Sequence, residues 1–368
     1  MLQQPTDPDE AGAAALEALA GAARQGACVV PVGAGMRQHP LEALDTRPVV
    51  PWPSTRFQTV RRWSVPDLTV DVDAGLSWGE LNRQLAEHGQ WLPVGVPDGA
   101  PDTLGGIVSA GVNGMWTGGY APIRDRILSM TVAVPAFGVV RVGAPVVKNV
   151  AGYNLWRLYW ATRGTFGIVL TITWKLAALP RATAILQCAD RGPLTARVWD
   201  EARRWGDGMP TVPALAALLL TIQPSGWELV GIAHGGDAAM DRVHRTLGAQ
   251  IGAGLDVTLP AALPDRVVWQ ARVPREGQRL VLDTLSSWGA GARAELQSGM
   301  VWGYGPQPEA VREELAPLLA RHGGALRCWE GSERGLALPS AEADMWQRLK
   351  ATVDPQGVLP GWRAEAEA

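Results

Sequence analysis

Residues Pro145–Leu176, PVVKNVAGYNLWRLYWATRGTFGIVLTITWKL, govern how the rest of this chain is read. The run begins with a short apolar stretch and passes Gly152-Tyr153, where a missing side chain lets backbone approach a flat ligand. It reaches Gly164-Thr165-Phe166-Gly167 and ends in Ile168-Val169-Leu170-Thr171-Ile172-Thr173, whose β-branched residues predict a buried strand. Two glycines just ahead of such a strand keep Cβ atoms away from something at its edge. An ordinary strand with glycine-marked turns explains the second pair alone; it explains the combined run poorly.

Two other segments carry the same kind of signal. Pro31-Val32-Gly33-Ala34-Gly35-Met36 follows the short apolar run Cys28-Val29-Val30 and offers consecutive N–H groups unobstructed by large side chains, a nest suited to a diphosphate. A plain β-turn is the alternative. It is not a dinucleotide fingerprint of the Rossmann kind, because the third glycine is missing and Pro40 interrupts any following helix. Asp102-Thr103-Leu104-Gly105-Gly106 is the second segment, followed by Gly111, Gly114, Gly119-Tyr120 and Arg124-Asp125. Arg124-Asp125 also reads as an ion pair at a helix start.

Around these segments the organisation is coarse but legible. Residues 9–25 read as an Ala/Leu helix, and Pro48 to Pro53 as a Pro-rich link. Leu68, Val70, Val72 and Ala74 alternate with polar residues, predicting a strand with one buried face. Ser77 and Glu80 form a capping box for a helix that stops at Gly89. Strands follow near 127–134 and 138–142, so residues 54–180 form one α+β unit around a glycine-lined surface. Beyond Pro180, strand-like runs lie near 183–188, 215–222, 227–233, 267–273, 296–303 and 325–329. Between them Leu194, Val198, Ala202 and Trp205 share one helix face, and Met240, Val243, Leu247 and Ile251 another. That alternation predicts a sheet covered on one side by helices.

Composition narrows the function. A chain of 368 residues, 47% hydrophobic and 19% charged, has material for two cores. A net charge of −3 without a Lys/Arg cluster argues against nucleic acid. Three scattered cysteines, Cys28, Cys188 and Cys328, fit a reducing cytoplasm and give no framework for an iron–sulfur cluster or structural zinc, so no metal site is expected. No secretory leader or membrane span is apparent, which leaves at most peripheral membrane association. The 17 Trp against 3 Phe are read chiefly as core fillers in positions other proteins give to Phe.

The three glycine-bearing segments, in this order, resemble the FAD-binding domain of the vanillyl-alcohol oxidase/p-cresol methylhydroxylase flavoproteins. Within that family the resemblance is greatest to the smaller FAD-binding subunits of bacterial glycolate oxidases. There a Val-Val-Lys-Asn-Val-Ala-Gly-Tyr-Asp run leads to Gly-Thr-Leu-Gly; here Asn154 replaces that Asp and Phe166 that Leu. The resemblance implies an α+β fold: a two-subdomain FAD-binding domain with an α+β cap, an antiparallel sheet covered by helices. The implied boundaries are an FAD-binding domain over 1–180 (subdomains about 1–52 and 54–180), a cap over 181–344 and a C-terminal return over 345–368. The return contains Asp354-Pro355-Gln356-Gly357-Val358-Leu359-Pro360-Gly361, similar to the family's closing motif without its Asn.

By the same resemblance the cofactor is FAD. Pro31, Gly33, Ala34, Gly35 and Met36 would form the pyrophosphate loop; Met36 stands where some members attach FAD through a His, so binding is expected to be non-covalent. Thr103, Leu104, Gly105, Gly106 and Gly114 would bind phosphate and admit the isoalloxazine, with Arg124 and Asp125 beyond them. Lys148, Asn149, Gly152, Tyr153, Gly164, Gly167 and Ile168 would complete the cofactor site. Val32, Ala34, Gly111, Ala121 and Asn154 depart from the family pattern, Gly111 at a position commonly held by Asn.

No catalytic residue is assigned. Oxidation of a 2-hydroxy acid needs a base and a carboxylate clamp beside the flavin. His39, His88, His234, His244 and His322 are the five histidines, and His234, at a strand end, is the one placed like a site residue. The His-x-His motif of the larger catalytic flavoproteins is missing. The expectation is therefore an FAD-binding subunit of a glycolate oxidase-like 2-hydroxy-acid oxidoreductase complex, passing electrons beside a larger FAD-binding subunit and an iron–sulfur subunit. The alternatives are a cofactor-free scaffold that keeps the fold and a self-sufficient FAD-dependent dehydrogenase.

Overall fold

The computed structural model of the chain describes residues 9–36, 47–96, 101–145, 154–208, 214–248, 250–253, 263, 265–328 and 340–361. Two sheets organise it. The first has five strands in the spatial order Val60–Ser64, Thr69–Asp73, Ile168–Lys175, Ile127–Val134, Gly138–Gly143, all antiparallel. Ile168–Lys175, the β-branched run, takes the central place, and its first seven residues are buried. Both of its faces are covered, which explains why the run is continuous rather than alternating. Helix Glu10–Gln25 lies on one face through Ala11, Ala15, Leu19 and Ala22, against Ile168 and Leu170. Helices Trp78–Ala86 and Leu104–Ala110 bury Leu81, Leu85, Leu104, Ile107 and Val108 in a common core with Val70, Val72, Ile172 and Trp174.

The C-terminal segment returns to this half. Val358 and Leu359 pack with helix Glu10–Gln25, and Val29 donates its amide to the Val358 carbonyl at 2.8 Å. Asp354 fixes the turn: its carboxylate accepts from the amides of Val358 and Leu359, both at 2.9 Å, and pairs with Lys350 at 2.7 Å. Lys350 in turn donates to the Thr165 carbonyl at 2.8 Å, just before Ile168.

The second sheet has eight strands in the order Gln250–Ala253, Ala182–Arg191, Gly226–Gly235, Ala214–Gln223, Ala292–Glu295, Met300–Tyr304, Val267–Arg272, Ala325–Cys328. Helices Ala196–Gly208, Asp237–Leu247, Arg275–Ser287 and Glu309–Arg321 cover one face through Val198, Trp205, Met240, Val243, Leu282 and Leu315. The opposite face lies on the first half of the chain, where Trp91, Met115 and Trp116 meet Ile185, Leu219, Val230 and Ile232. No described helix is long and apolar enough to cross a membrane.

Three expectations need correction. The Pro-rich link is a strand, Val49–Pro53, paired in parallel with Cys28–Val32; proline is tolerated there because the two strands form a sheet of their own, with open edges. The run 296–303 is not one strand: residues 296–299 turn, with Gly299 at φ +74°, and join Ala292–Glu295 to Met300–Tyr304 as a hairpin. Ile251 lies in a strand, beyond the helix that Gly248 ends at φ +73°.

Candidate functional site

The short helix Leu104–Ala110 is the element on which the three glycine-bearing segments bear. Thr103 caps it, its hydroxyl accepting from the Gly106 amide at 3.1 Å. The Leu104 and Gly105 amides donate to the carbonyls of Leu76 at 2.9 Å and Ala74 at 2.7 Å. Gly111 ends the helix at φ +65°. Its last carbonyls are taken by the loop before the central strand: Ala161 donates to Val108 and Arg163 to Ser109, each at 2.9 Å. Both ends are thus tied to neighbouring backbone, which fixes the helix to the first sheet.

The loop Pro31–Met36 sits against this helix. A Cβ built on Gly33 would lie 2.2 Å from the Thr103 hydroxyl oxygen, so only glycine allows that approach. On its other side, a Cβ on Gly164 would lie 2.9 Å from two carbons of the Pro31 ring, and Gly164 itself adopts φ +80°. Pro31–Gly33, Thr103 and Gly164, far apart in sequence, therefore meet. Ala34 and Gly35 are exposed, and the amides of Gly33, Ala34 and Gly35 donate to no backbone carbonyl among the described residues. A turn that presents unspent amide donors fits a diphosphate.

The other expected site residues distribute differently. The amides of Leu104, Gly105 and Gly106 are already donated within the chain, so the first turn of this helix has none to offer a phosphate; Thr103 keeps its hydroxyl proton. Leu104 and Ile168 point into cores. Gly114 is required by backbone packing, since a Cβ there would meet the Val94 carbonyl at 1.6 Å. Gly167 likewise packs on Val132 and Ala133. Met36 is half-buried against the first core. Arg124 and Asp125 form an exposed pair at 3.8 Å in a short 3-10 helix. Lys148, Asn149, Gly152 and Tyr153 lie outside the described residues, as does His39.

The second sheet contributes residues that sequence reasoning missed. Glu228, Thr221, Arg293, Trp302, Gln270 and Arg327 stand in direct register across six strands, forming one polar row on the face turned to the first half. Trp302 donates its indole N–H to the Asn113 carbonyl at 3.0 Å, and Gln270 accepts from the Asn113 amide at 3.1 Å. Arg327 donates from Nη1 to the carbonyls of Ala110 at 2.9 Å and Gly111 at 3.0 Å, where helix Leu104–Ala110 ends. No local pattern marks these positions, because each lies in an ordinary strand and gains its meaning from pairing.

His234 is not at the Gly33 loop. It sits in an aromatic box between the two halves, with Nδ1 2.7 Å from the Tyr120 hydroxyl and the rings of Trp91 and Trp116 at 5.9 and 5.1 Å. Burial lowers its pKa to about 4, so the ring is neutral at pH 7. The same burial raises Tyr120 to about 12.

The family model for the FAD binding domain matches residues 7–143, the stretch that carries the Gly33 loop and the Thr103 helix. The cofactor of such a domain is FAD. The chain is 26% identical over 314 residues to the glycolate oxidase subunit GlcE of Escherichia coli, covering 82% of this chain and 83% of that protein. It is 33% identical over 132 residues to a mitochondrial D-lactate dehydrogenase (cytochrome) of Arabidopsis thaliana, 36% of this chain and 23% of the relative. The glycolate oxidase subunit GlcD of Bacillus subtilis matches at 28% over 120 residues, again about a quarter of its length, 26%. Among solved structures, alkyldihydroxyacetonephosphate synthase superposes with a TM-score of 0.62 over 93% of this chain and 73% of that one, at 14% identity. That likeness is one of fold: the α+β, FAD-binding fold of the vanillyl-alcohol oxidase type expected from the sequence.

Proposed function

We propose that this chain is the FAD-binding subunit of a glycolate oxidase-like 2-hydroxy-acid oxidoreductase complex, holding FAD non-covalently and passing electrons to partner subunits. One observation carries the reading: similarity to GlcE runs through four-fifths of both chains, whereas the D-lactate dehydrogenase and GlcD matches cover about a quarter of those proteins. The partners of this reading are a larger FAD-binding subunit and an iron–sulfur subunit, assembled on the cytoplasmic side and at most peripheral to the membrane. The working division is an FAD-binding domain over 1–180, a cap over 181–344 and a return segment over 345–368.

Bound FAD would supply the redox chemistry. The chain's own residues have positioning roles. Gly33, Ala34 and Gly35 would donate amides to the diphosphate, with the Thr103 hydroxyl beside them. Gly164 lets the loop before the central strand close on Pro31, and the Lys350–Asp354 pair holds the return segment against that loop. Trp302, Met300 and Tyr304 are buried between the halves and keep water from that part of the seam.

The test is co-expression of this chain with a GlcD-type flavoprotein and an iron–sulfur subunit. The complex should reduce an artificial acceptor with glycolate, and omission of this chain should abolish it, while the chain alone should turn over neither glycolate nor D-lactate. Turnover by the chain alone would replace this reading with a self-sufficient dehydrogenase. A complex that works fully with a flavin-free form of this chain would make it a scaffold.

A further inference from the structure

Strand Ala182–Arg191 is second in the eight-stranded sheet, and its outer side is only partly covered. Gly226–Gly235 pairs with all 10 of its residues, whereas Gln250–Ala253 pairs only with Ala182–Ile185. Among the described residues no strand lies beside Leu186–Arg191 on that side. Gly192 donates to the Ser225 carbonyl at 3.2 Å, in register with the Gly226–Gly235 pairing, and the hydrogen bonds of an antiparallel strand alternate between its two sides. The amides and carbonyls of Gln187 and Ala189 therefore face outward. Arg191 faces the same way, but its amide donates to the Asp190 carboxylate at 2.9 Å, and this charged end blunts the edge. What stays open is Leu186–Ala189.

A groove of about 440 Å³ lies along that stretch, lined by Leu186, Cys188, Trp205, Leu247 and the Glu201–Arg204 pair. The charges around Cys188 cancel: Arg197 pairs with Asp190 at 3.2 Å and Arg204 with Glu201 at 2.7 Å. An unpaired strand edge beside a largely apolar, electrically balanced groove fits an extended uncharged peptide, which pairs main chain to main chain and places alternate side chains in the groove. A second copy of this chain fits poorly. Two-fold pairing through both outward residues sets Gln187 against Ala189 and so buried Leu186 against charged Asp190. The groove is also clear of the Gly33 loop and its helix. Ala182–Arg191 stands six places along the sheet from Ala325–Cys328, the strand that meets helix Leu104–Ala110, on the order of 29 Å at about 4.8 Å per strand.

We propose that the edge Leu186–Ala189 docks an extended, uncharged segment of a partner subunit as an added strand, with an apolar side chain opposite Leu186 and beside Trp205. The partner rests on the reading above, in which this chain works within a complex; the open edge and its groove do not.

Hydrogen exchange read at single amides tests this, on the chain alone and on the complex co-expressed with a GlcD-type flavoprotein and an iron–sulfur subunit. In the complex the Gln187 and Ala189 amides should exchange about tenfold more slowly or less, and half-buried Cys188 should lose reactivity toward N-ethylmaleimide. Ala189→Pro removes an outward amide that the chain's own sheet does not use. It should keep the thermal midpoint yet weaken assembly about tenfold or more, the scale of one or two main-chain hydrogen bonds. Ala189→Ser keeps the amide and should assemble like wild type. A complex that forms and oxidises glycolate while these amides still exchange freely overturns this proposal alone. So does protection already present in the isolated monomer, where the chain covers its own edge, or protection that appears only as the chain dimerises. Failure of any complex to form removes the functional reading and this partner together. If Ala189→Pro does not fold, exchange and alkylation of wild type still decide.

Discussion

Gly33→Ala places one carbon 2.2 Å from the Thr103 hydroxyl oxygen, where ordinary contact begins near 3.4 Å. The Gly33 backbone is not in the left-handed region, so alanine is conformationally acceptable and the cost is steric. Relief requires the loop and the helix cap to separate by about 1.2 Å, which displaces Gly33 and the amides that follow it from the Thr103 hydroxyl. Overpacking of this size costs about 1–3 kcal/mol. If the strain falls on the cofactor-binding conformation, FAD affinity drops by roughly 5- to 150-fold. Thr103→Ala alone removes the helix cap and should cost about 1 kcal/mol of stability. The decisive sample is the double variant. With the hydroxyl and Cγ2 gone, the nearest remaining Thr103 atom is its Cβ at 3.4 Å, so Gly33→Ala should cost almost nothing further. FAD dissociation constants from flavin fluorescence, measured beside thermal midpoints, give the cycle. Equal Gly33→Ala penalties with Thr103 present and absent would refute the contact as the cause.

Three other outcomes follow from the same geometry. His234 has a folded pKa of about 4 against an ordinary 6.5, so the unfolded chain takes up its proton first as pH falls. Stability is complete above about pH 6.5 and declines toward pH 4, by about 2 kcal/mol between pH 7 and pH 5; His234→Gln should flatten that part of a thermal-midpoint profile, and an unchanged slope would contradict it. Asp354→Asn removes the ion-pair partner of half-buried Lys350 and weakens two amide acceptors, so denaturant unfolding should show a loss of about 3 kcal/mol. Gly164→Ala combines φ +80° with a 2.9 Å approach to Pro31, and should lower both the melting temperature and FAD retention on gel filtration, whereas Gly138→Ala, also at positive φ but in open space, should lower only the melting temperature.

What the sequence disclosed depended on where the constraint lay. Ile168–Thr173 announced its place in the sheet because a strand covered on both faces must be apolar throughout. Gly33 and Gly164 were legible because close backbone approach admits no other residue, and the surfaces they approach, Thr103 and Pro31, lie in the segments they were expected to join. Val49–Pro53 was hidden by Pro51 and Pro53, with Pro48 just ahead of them, which suit an open-edged strand as well as a link. The hairpin at 295–300 was missed because Glu295 closes it through the amides of Gln297 and Ser298, a buried carboxylate acting locally. Arg124 and Asp125 matched a motif yet lie on the surface. Arg327, in Ala-Leu-Arg-Cys, carries no local signal; its position against Ala110 and Gly111 exists only once strand order is known.

The central claim is that Pro31–Gly35, Thr103 and the Gly164 loop converge to hold one FAD. Protein purified with added FAD and freed of excess should release flavin on denaturation at close to one molecule per chain, without any remaining attached to the polypeptide. A colourless protein that also leaves the fluorescence of added FAD unchanged would contradict the account.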